Sequence, residues 1–537
     1  MDYLSLMSTV AEPRSRALNL SMFKAYDIRT KSTRLTPELS RRLIMAIGAY
    51  VSEALGASAV VVGRDARLAA PALMETALEV LPAMGLDVIV NPLQGSTCQF
   101  YFACMRNPSA AAVMFTASHN PGDYIGIKLL GPGMRSVALD SGPEGGITGV
   151  LARYLEDRPR PVSAEHGKTL VRRYLDEYIE YSMKLAGVRP GELAGTPLFL
   201  DFLCGAAGTE ISEALGAAGA KLDMRNLVPD GFFPAGDPNP LIEQSVRTSR
   251  GKLAKGGYLC GFIYDGDGDR MDIMDAKGGQ LAPSFNVAAL LPDILATYRR
   301  GRESGAFGGA STPWRPQIYS DVKANPLAMK DQASCGAGVH IIRNGHSFIK
   351  EALRANLAKQ YLLASEESAH YYMNFPLDPE DWGKGFAATE NTLYFTLLTA
   401  RVWARHPELY EKAIARQATL ARAREWACHF KDERLMTAVL AEVEELFAAR
   451  GLSVIRSMED GSDLDATLMR KGLPEVITAT SDLDGPWYQV AQRISRSEEG
   501  MTRWEVVSNS ETACREAVAA VRSVTDRYVE RSDADYE

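Results

Sequence analysis

The sequence predicts an α/β protein of several domains: three similar α/β domains with mixed sheets, followed by a C-terminal α+β domain. Three observations predict this. Three segments share one outline, an apolar run rich in β-branched or aromatic residues, then a polar turn, then a helical pattern. They are SAVVVGRDAR (58–67), PLFLDFLCGAAGTEISEAL (197–215) and PQIYSDVKANPLAMKD (316–331). Such runs read as buried parallel strands with crossover helices. They recur at a spacing of roughly 120–140 residues, which suggests internal repetition. At 537 residues the chain is also too long for one core, and a prior of roughly 100–200 residues per domain gives about three to five domains.

Taken in order, residues 1–21 read as a short extension, with no basic segment leading into a long apolar one. The first domain, 22–190, holds the first strand pattern and the loop GPGMRSVALDSGPEGG (131–146), then helices to about residue 185. GVRPGELAGTP (187–197) separates it from a second domain, 191–278, which ends near a hairpin turn in DAKGGQLAP (275–283). The third domain is 279–423. Residues 394–446 read as almost wholly helical and carry the chain into the fourth domain, 424–537, with a hinge expected near 424–452. The strands of that domain are DGPWYQVAQRIS and TRWEVVS, and the helix ETACREAVAAVRSVTDRYVE closes it. Paired strands with flanking helices read as α+β.

Composition excludes several classes. A hydrophobic content of 46% with 23% charge is that of a soluble globular protein. No apolar run approaches the roughly 20 residues of a membrane helix, so no membrane partner is expected. A net charge of -8 argues against nucleic acid, while leaving room for a local basic pocket and a small anionic ligand. Seven scattered cysteines without a CxxC pair read as reduced thiols in a cytoplasmic protein, not a disulfide frame or a zinc site.

The strongest chemical signal is YDGDGDRMDIMD, from Tyr264. Asp265, Asp267 and Asp269 alternate with glycines, and three carboxylates on a sharp turn converge on one hard cation. The calcium loop that also begins D-x-D-x-D needs Gly at position six and Glu at position twelve; Arg270 and Ala276 stand there. Oxygen-only ligands favour magnesium over zinc, and a catalytic magnesium is completed by waters and a phosphate. RISRSEE (493–499) offers guanidinium groups, hydroxyls and backbone N–H groups between two strands, a cradle for a phosphate dianion. Four more stretches carry polar candidates: FKAYDIR with Tyr26 and Arg29; GRDAR with Arg64 and Arg67; RNGHSFIK with His346; and SEESAHYY with Glu366, Ser368 and His370. TASHNP places Ser118 beside His119.

The order of FKAYDIR, TASHNP, DGDGDR, GHSFIK, SEESAH and RISRSEE resembles the α-D-phosphohexomutase family, and its phosphomannomutase/phosphoglucomutase branch in particular, from about Met22 to about Val524. The resemblance implies four domains around a central cleft, and interconversion of hexose 6-phosphate and hexose 1-phosphate, with mannose favoured over glucose. It implies a phosphoserine at Ser118, a 1,6-bisphosphate intermediate that also activates, and one Mg2+ held by Asp265, Asp267, Asp269 and Ser118. Arg29, Lys128, His346 and His370 match residues near the reacting hydroxyl. A lysine near magnesium and arginine is expected to have a lowered pKa, which makes Lys128 a general-base candidate. Glu366 and Ser368 match the sugar-binding loop. Arg493, Ser495, Arg496 and Ser497 fall in the phosphate loop, and Tyr26, Arg270 and Lys323 match further contacts. The chain departs from the family pattern at Ile125, Ser365, Ala369, Arg496 and Glu499; Ala369 also occurs on the phosphomannomutase side.

Other readings fit less well. A serine hydrolase built on Ser118 and His119 lacks a GxSxG elbow, and adjacent residues on a tight turn rarely aim at each other. A dinucleotide-dependent dehydrogenase lacks a strand running into GxGxxG. A non-catalytic hexose-phosphate-binding protein that retains the fold would bind substrate without phosphorylating Ser118.

Overall fold

The computed structural model describes residues 3–156, 163, 165–303, 306–309, 312–495, 500–531 and 534–536. The chain divides into two compact units. One comprises Met1–Gln280, Lys350–Arg354 and Ser368–Arg405; the other comprises Leu281–Ile349, Ala355–Glu367 and His406–Glu537.

In the first unit a mixed sheet runs in the order Ile28–Lys31, Tyr124–Gly131, Ala111–Phe115, Ala59–Arg64, Asp87–Val90, Thr169–Val171. Ala59–Arg64 pairs in parallel on both sides, with Val60 opposite Ala111 and Ala59 opposite Asp87. Its run of valines suits a strand covered on both faces. The helix Pro37–Glu53 starts at Thr36, whose hydroxyl accepts the Leu39 N–H at 3.3 Å. Its apolar face joins Val60, Val62, Val113, Phe115 and Ile127 in the core. The N-terminal residues are packed too: Tyr3, Leu6, Met7 and Val10 lie against this core, and the Tyr3 hydroxyl donates to the Phe23 carbonyl at 2.7 Å.

A second sheet of the same unit sets Met271–Asp275, Cys260–Tyr264, Pro197–Asp201 and Lys221–Arg225 side by side. The antiparallel join of Cys260–Tyr264 to Met271–Asp275 leaves only the acidic turn between them. His370–Pro376 and Phe386–Glu390 form an antiparallel pair, followed by the helix Thr392–Arg405.

In the second unit, Gln317–Asp321 lies parallel to Gly338–Ile342 on one side and to Tyr361–Glu366 on the other. A six-stranded sheet follows, in the order Ser453–Ser457, Asp463–Lys471, Tyr488–Ile494, Met501–Ser508, Ala421–Phe430, Ala534–Tyr536. The helices Glu433–Ala449 and Glu511–Val529 supply Val439, Val443, Phe447, Ala517, Val521 and Val524 to a core shared with Met469, Val490, Trp504 and Val506.

Two expectations are corrected. Residues 394–446 are not one helical stretch, because Ala421–Phe430 is a strand within them. Its Ala, Arg and Glu residues favour helix locally, but antiparallel pairing with Met501–Ser508 buries Ala427, Cys428 and Phe430. Long-range pairing therefore overrides propensity. The last domain also carries the strands Ser453–Ser457 and Asp463–Lys471, whose mixed polar composition hid them. Among the described residues, no helix is long and apolar enough to cross a membrane.

Phe447 is fully buried in the core beneath this sheet. Phe447→Ala is expected to lower the stability of the C-terminal sheet by about 3–5 kcal/mol, seen as an earlier transition in urea unfolding; an unchanged unfolding profile would contradict the packing described.

Candidate active site

The acidic turn owes its shape to its glycines. Gly268 has φ +69, and a Cβ on Gly266 would stand 2.7 Å from the Ser118 carbonyl oxygen. The turn is thus closed from inside by Gly268 and pressed against the serine loop at Gly266. Asp265, Asp267 and Asp269 are buried, and each offers an oxygen within 4.8 Å of the others.

Ser118 sits in the connection between the antiparallel strands Ala111–Phe115 and Tyr124–Gly131. Its φ of 51 is unfavourable for a side-chain-bearing residue. Two devices impose that conformation. The Ser118 N–H donates to Thr116 Oγ1 at 2.9 Å. Arg67, fully buried, donates to the carbonyls of Ser118 (2.7 Å), Asn120 (2.6 Å), Pro121 (2.7 Å) and Tyr124 (2.9 Å). Asp65 anchors Arg67 in turn, at 3.2 Å from its Nε and 2.9 Å from its backbone N–H. One guanidinium thus holds four carbonyls of the loop, and charge-assisted bonds of this kind outweigh the cost of a single strained residue. Arg64 of the same motif points elsewhere, to the Pro92 carbonyl at 3.3 Å.

The Ser118 hydroxyl lies 3.1 Å from Asp265 Oδ2 and 3.3 Å from His119 Nδ1. The neighbouring imidazole does therefore reach the serine, contrary to the expectation from adjacency. Among the described residues no acid hydrogen-bonds to it, and burial followed by the charges of Arg270, Arg29 and His370 keeps its pKa well below the ordinary value. His119 is a neutral ring here.

The Oδ2 oxygens of Asp267 and Asp269 are hydrogen-bonded. Asp267 Oδ2 accepts from Thr97 Oγ1 (2.6 Å), Thr116 Oγ1 (3.0 Å) and Lys128 Nζ (2.8 Å), and Asp269 Oδ2 accepts from Lys128 at 2.6 Å. Asp267 Oδ1 and Asp269 Oδ1 are buried and accept no hydrogen bond. Buried carboxylate oxygens without donors are costly. Burial, with the charges of Asp269 and Asp267, drives the pKa of Asp265 well upward. Burial opposes ionisation of Asp269 as well, but Lys128 and Arg270 hold it below the ordinary value. Three acidic groups set against the Lys128 ammonium and the Arg270 guanidinium, which lies 3.8 Å from Asp265 Oδ2, with two buried oxygens lacking donors and a serine hydroxyl alongside, fit a divalent, oxygen-preferring cation.

This geometry changes the reading of Lys128. Burial favours its neutral form, but Asp267 and Asp269 outweigh burial and raise its pKa well above the ordinary value. The lowered pKa expected from magnesium and arginine is absent while these carboxylates carry their charge.

Arg29, Arg270 and His370 gather here. Arg29 donates to Asp27 and to the Asn120 side chain, tying the first strand to the serine loop. Arg270 Nε lies 3.0 Å from His370 Nε2, and His370 Nδ1 lies 3.8 Å from Asp269 Oδ1. Tyr26 is half-buried just before Ile28–Lys31, and Ser368 is half-buried before His370. Ile125 is explained by packing: it is a member of the apolar core, opposite Thr30 in the sheet. Sequence reasoning missed Thr97, Arg67's grip on the loop, and a buried group formed by Glu390, Lys350 and Tyr101. There Lys350 Nζ donates to the Tyr101 hydroxyl at 3.0 Å and to Glu390 at 3.1 Å. Burial pushes the Glu390 carboxyl up to about 7, against the pull of Lys350.

In the second unit, Glu366 Oε1 accepts from Asn344 Nδ2 at 2.9 Å and from the Gly345 N–H at 3.2 Å. His346 opens the helix His346–Ala355. Ser365 is buried in the strand opposite Ser320. Arg493 and Lys323 meet at a carboxylate that sequence reasoning did not single out, Glu425, which they share with Arg503. Ser495 is buried, its N–H donating to the Met501 carbonyl at 2.9 Å. Arg496, Ser497 and Glu499 lie outside the described residues.

Models of the phosphoglucomutase/phosphomannomutase α/β/α domains I and II match residues 20–138 and 173–278. The phosphohexose mutases of Xanthomonas campestris pv. campestris are 31% identical over 364 residues, covering 66% of this chain and 73% of theirs. The phosphomannomutase of Salmonella montevideo is 32% identical over 362 residues, with the same shares covered. The crystal structure of a phosphoglucomutase/phosphomannomutase family protein from Burkholderia thailandensis superposes with a TM-score of 0.70 at 22% identity, covering 94% of this chain and 98% of that one. The chain belongs to the phosphoglucomutase/phosphomannomutase family, a family of phosphohexomutase enzymes.

Ala369 has φ 71 and is fully buried, its carbonyl accepting the Met271 N–H at 2.9 Å. Glycine at this position relieves the strain, so Ala369→Gly is expected to raise stability by about 1 kcal/mol in chemical unfolding. A loss of stability would show that the methyl's packing outweighs the backbone strain.

Proposed function

We propose that the protein interconverts hexose 6-phosphate and hexose 1-phosphate through a phosphoserine at Ser118 and a 1,6-bisphosphate intermediate, with mannose preferred over glucose. The observation that carries this reading is the Ser118 hydroxyl, 3.1 Å from Asp265 in a loop held in an unfavourable conformation beside three buried carboxylates. Strain held by a dedicated clamp at a reactive position is a mark of function.

Asp265, Asp267, Asp269 and the Ser118 oxygen would hold a magnesium ion. Its chemistry is to neutralise charge on the transferring phosphoryl group. In the transfer, a free hydroxyl of the sugar phosphate attacks the phosphorus, the Ser118 Oγ–P bond breaks, and the hydroxyl proton passes to a protein base. Reversal from the other end of the bisphosphate restores the phosphoserine. The protein positions the reactants and offsets charge, the main demands of phosphoryl transfer. Arg29 and Arg270 supply fixed positive charge around the serine loop. Lys128 and His370 are assigned to proton handling, and the pairing of Lys128 with Asp267 and Asp269 means that it serves as a base only once their charge is neutralised. His346 is assigned, with Lys128 and His370, to the catalytic groups near the reacting hydroxyl.

Glu366 and Ser368 are assigned to the sugar hydroxyls, and Arg493, Ser495, Arg496, Ser497 and Lys323 to the non-reacting phosphate, with Tyr26 as a further contact. The mannose preference follows Ala369 and the phosphomannomutase relative. A hexose 1,6-bisphosphate is the expected activator. All seven cysteines are unpaired, which suits a reducing compartment such as the cytoplasm.

Treatment with magnesium and glucose 1,6-bisphosphate is expected to add one phosphate to the intact mass, and Ser118→Ala to abolish the gain together with turnover. A chain that takes up no phosphate and turns over neither mannose 1-phosphate nor glucose 1-phosphate refutes the proposal. For specificity, kcat/KM is expected to be higher for mannose 1-phosphate than for glucose 1-phosphate; the reverse ratio refutes the preference alone.

A further inference from the structure

Glu425 occupies the centre of the cation cluster in the second unit. Arg493 Nη2 donates to both of its oxygens, at 3.2 and 3.1 Å, Arg503 Nη1 donates to Oε1 at 3.2 Å, and Lys323 Nζ lies 3.4 Å from Oε2. Arg493 and Arg503 face each other directly across Tyr488–Ile494 and Met501–Ser508. Like charges directly opposite on a sheet repel, so the pair needs an anion between them.

The strand carrying Glu425 is built to deliver one. Ala421–Phe430 pairs with Met501–Ser508 so that Ala423 faces Val506 and Trp426 faces Trp504, with a register shift between. Two residues, Arg424 and Glu425, therefore span the place of one. A bulge of this kind re-aims a side chain, and here it turns the carboxylate to the arginine pair. Burial opposes the ionised form, but Arg493, Lys323 and Arg503 hold Glu425 far below the usual carboxylate range. The side chains of Glu425 and Arg503 are 20% exposed, that of Arg493 18% and that of Lys323 7%.

We infer that Glu425 is a built-in competitor for the phosphate cradle, an internal carboxylate that holds Lys323, Arg493 and Arg503 together and sets how tightly a phosphate group binds there. This rests on the proposed role of Arg493 and Lys323 in phosphate binding. Lys323, Arg493 and Arg503 outnumber the carboxylates beside them, Glu425 and Asp321, whose Oδ2 lies 3.7 Å from Lys323 Nζ, so the cradle keeps a positive excess for a phosphate. The incoming dianion shares the cations with Glu425, so the cradle binds it less tightly than three cations alone would. A bisphosphate that must release its phosphate from the cradle and turn over in the cleft needs such moderated binding.

The test is calorimetric binding of mannose 1-phosphate to the full chain carrying Ser118→Ala, which cannot turn over. In that background Glu425→Gln is expected to lower Kd by about tenfold or more, from the Coulomb energy of one charge at this range discounted for partial exposure. Glu425→Asp keeps the charge and leaves Kd within about threefold. Arg503→Gln weakens binding, and adding Glu425→Gln to it restores the parental net charge and brings Kd back to near the parental value. That pair of variants gives the answer even where Glu425→Gln alone fails to fold. A Kd that is unchanged or raised on removal of the Glu425 charge, in either background, overturns the inference. Arg493→Met separates the two ideas: a Kd it leaves unchanged refutes the phosphate cradle itself, whereas a Kd it raises leaves the cradle standing whatever Glu425 does.

Discussion

The burial of three carboxylates around one lysine is the constraint on which the first unit's site depends. Asp265, Asp267 and Asp269 repel one another in a medium where charge is poorly screened. Lys128 takes one oxygen of Asp267 and one of Asp269, and Thr97 and Thr116 take further bonds to the same Asp267 oxygen. This one-sided satisfaction leaves the opposite oxygens of Asp267 and Asp269 inward and unbonded. The turn is therefore shaped for a cation, and the Ser118 loop follows from it, seated on Gly266 and clamped by Arg67.

The chemistry was legible in the sequence where it lay in short, contiguous motifs. DGDGDR announced a converging acid set because its glycines allow the sharp turn that brings three carboxylates together, and the valine run at 60–62 announced a buried strand. Contacts made across long separations left no local trace. Arg67 was visible in GRDAR, but its four carbonyl partners lie 51 to 57 residues away. Thr97 reaches Asp267 across 170 residues, and nothing in its neighbourhood marks it. Glu425 was hidden twice, by a stretch whose composition favours helix and by a bulge that strand alternation does not reveal.

Lys128 shows how the same residue reads differently once its partners are seen. In the sequence its family match near the reacting hydroxyl, with magnesium and arginine expected close by, suggested a base. In the structure its ammonium is the counter-charge of the acidic turn. Glu425 does in the second unit what Lys128 does in the first: a single opposite charge inside a cluster of like charges keeps the cluster assembled.

The central claim is that the acidic turn is one divalent-cation site that includes Asp267. Titration of magnesium into the full chain by calorimetry tests it without reference to turnover. The account predicts saturable binding of one ion per chain, abolished by Asp267→Asn. Absence of saturable binding, or binding that survives Asp267→Asn unchanged, would contradict it.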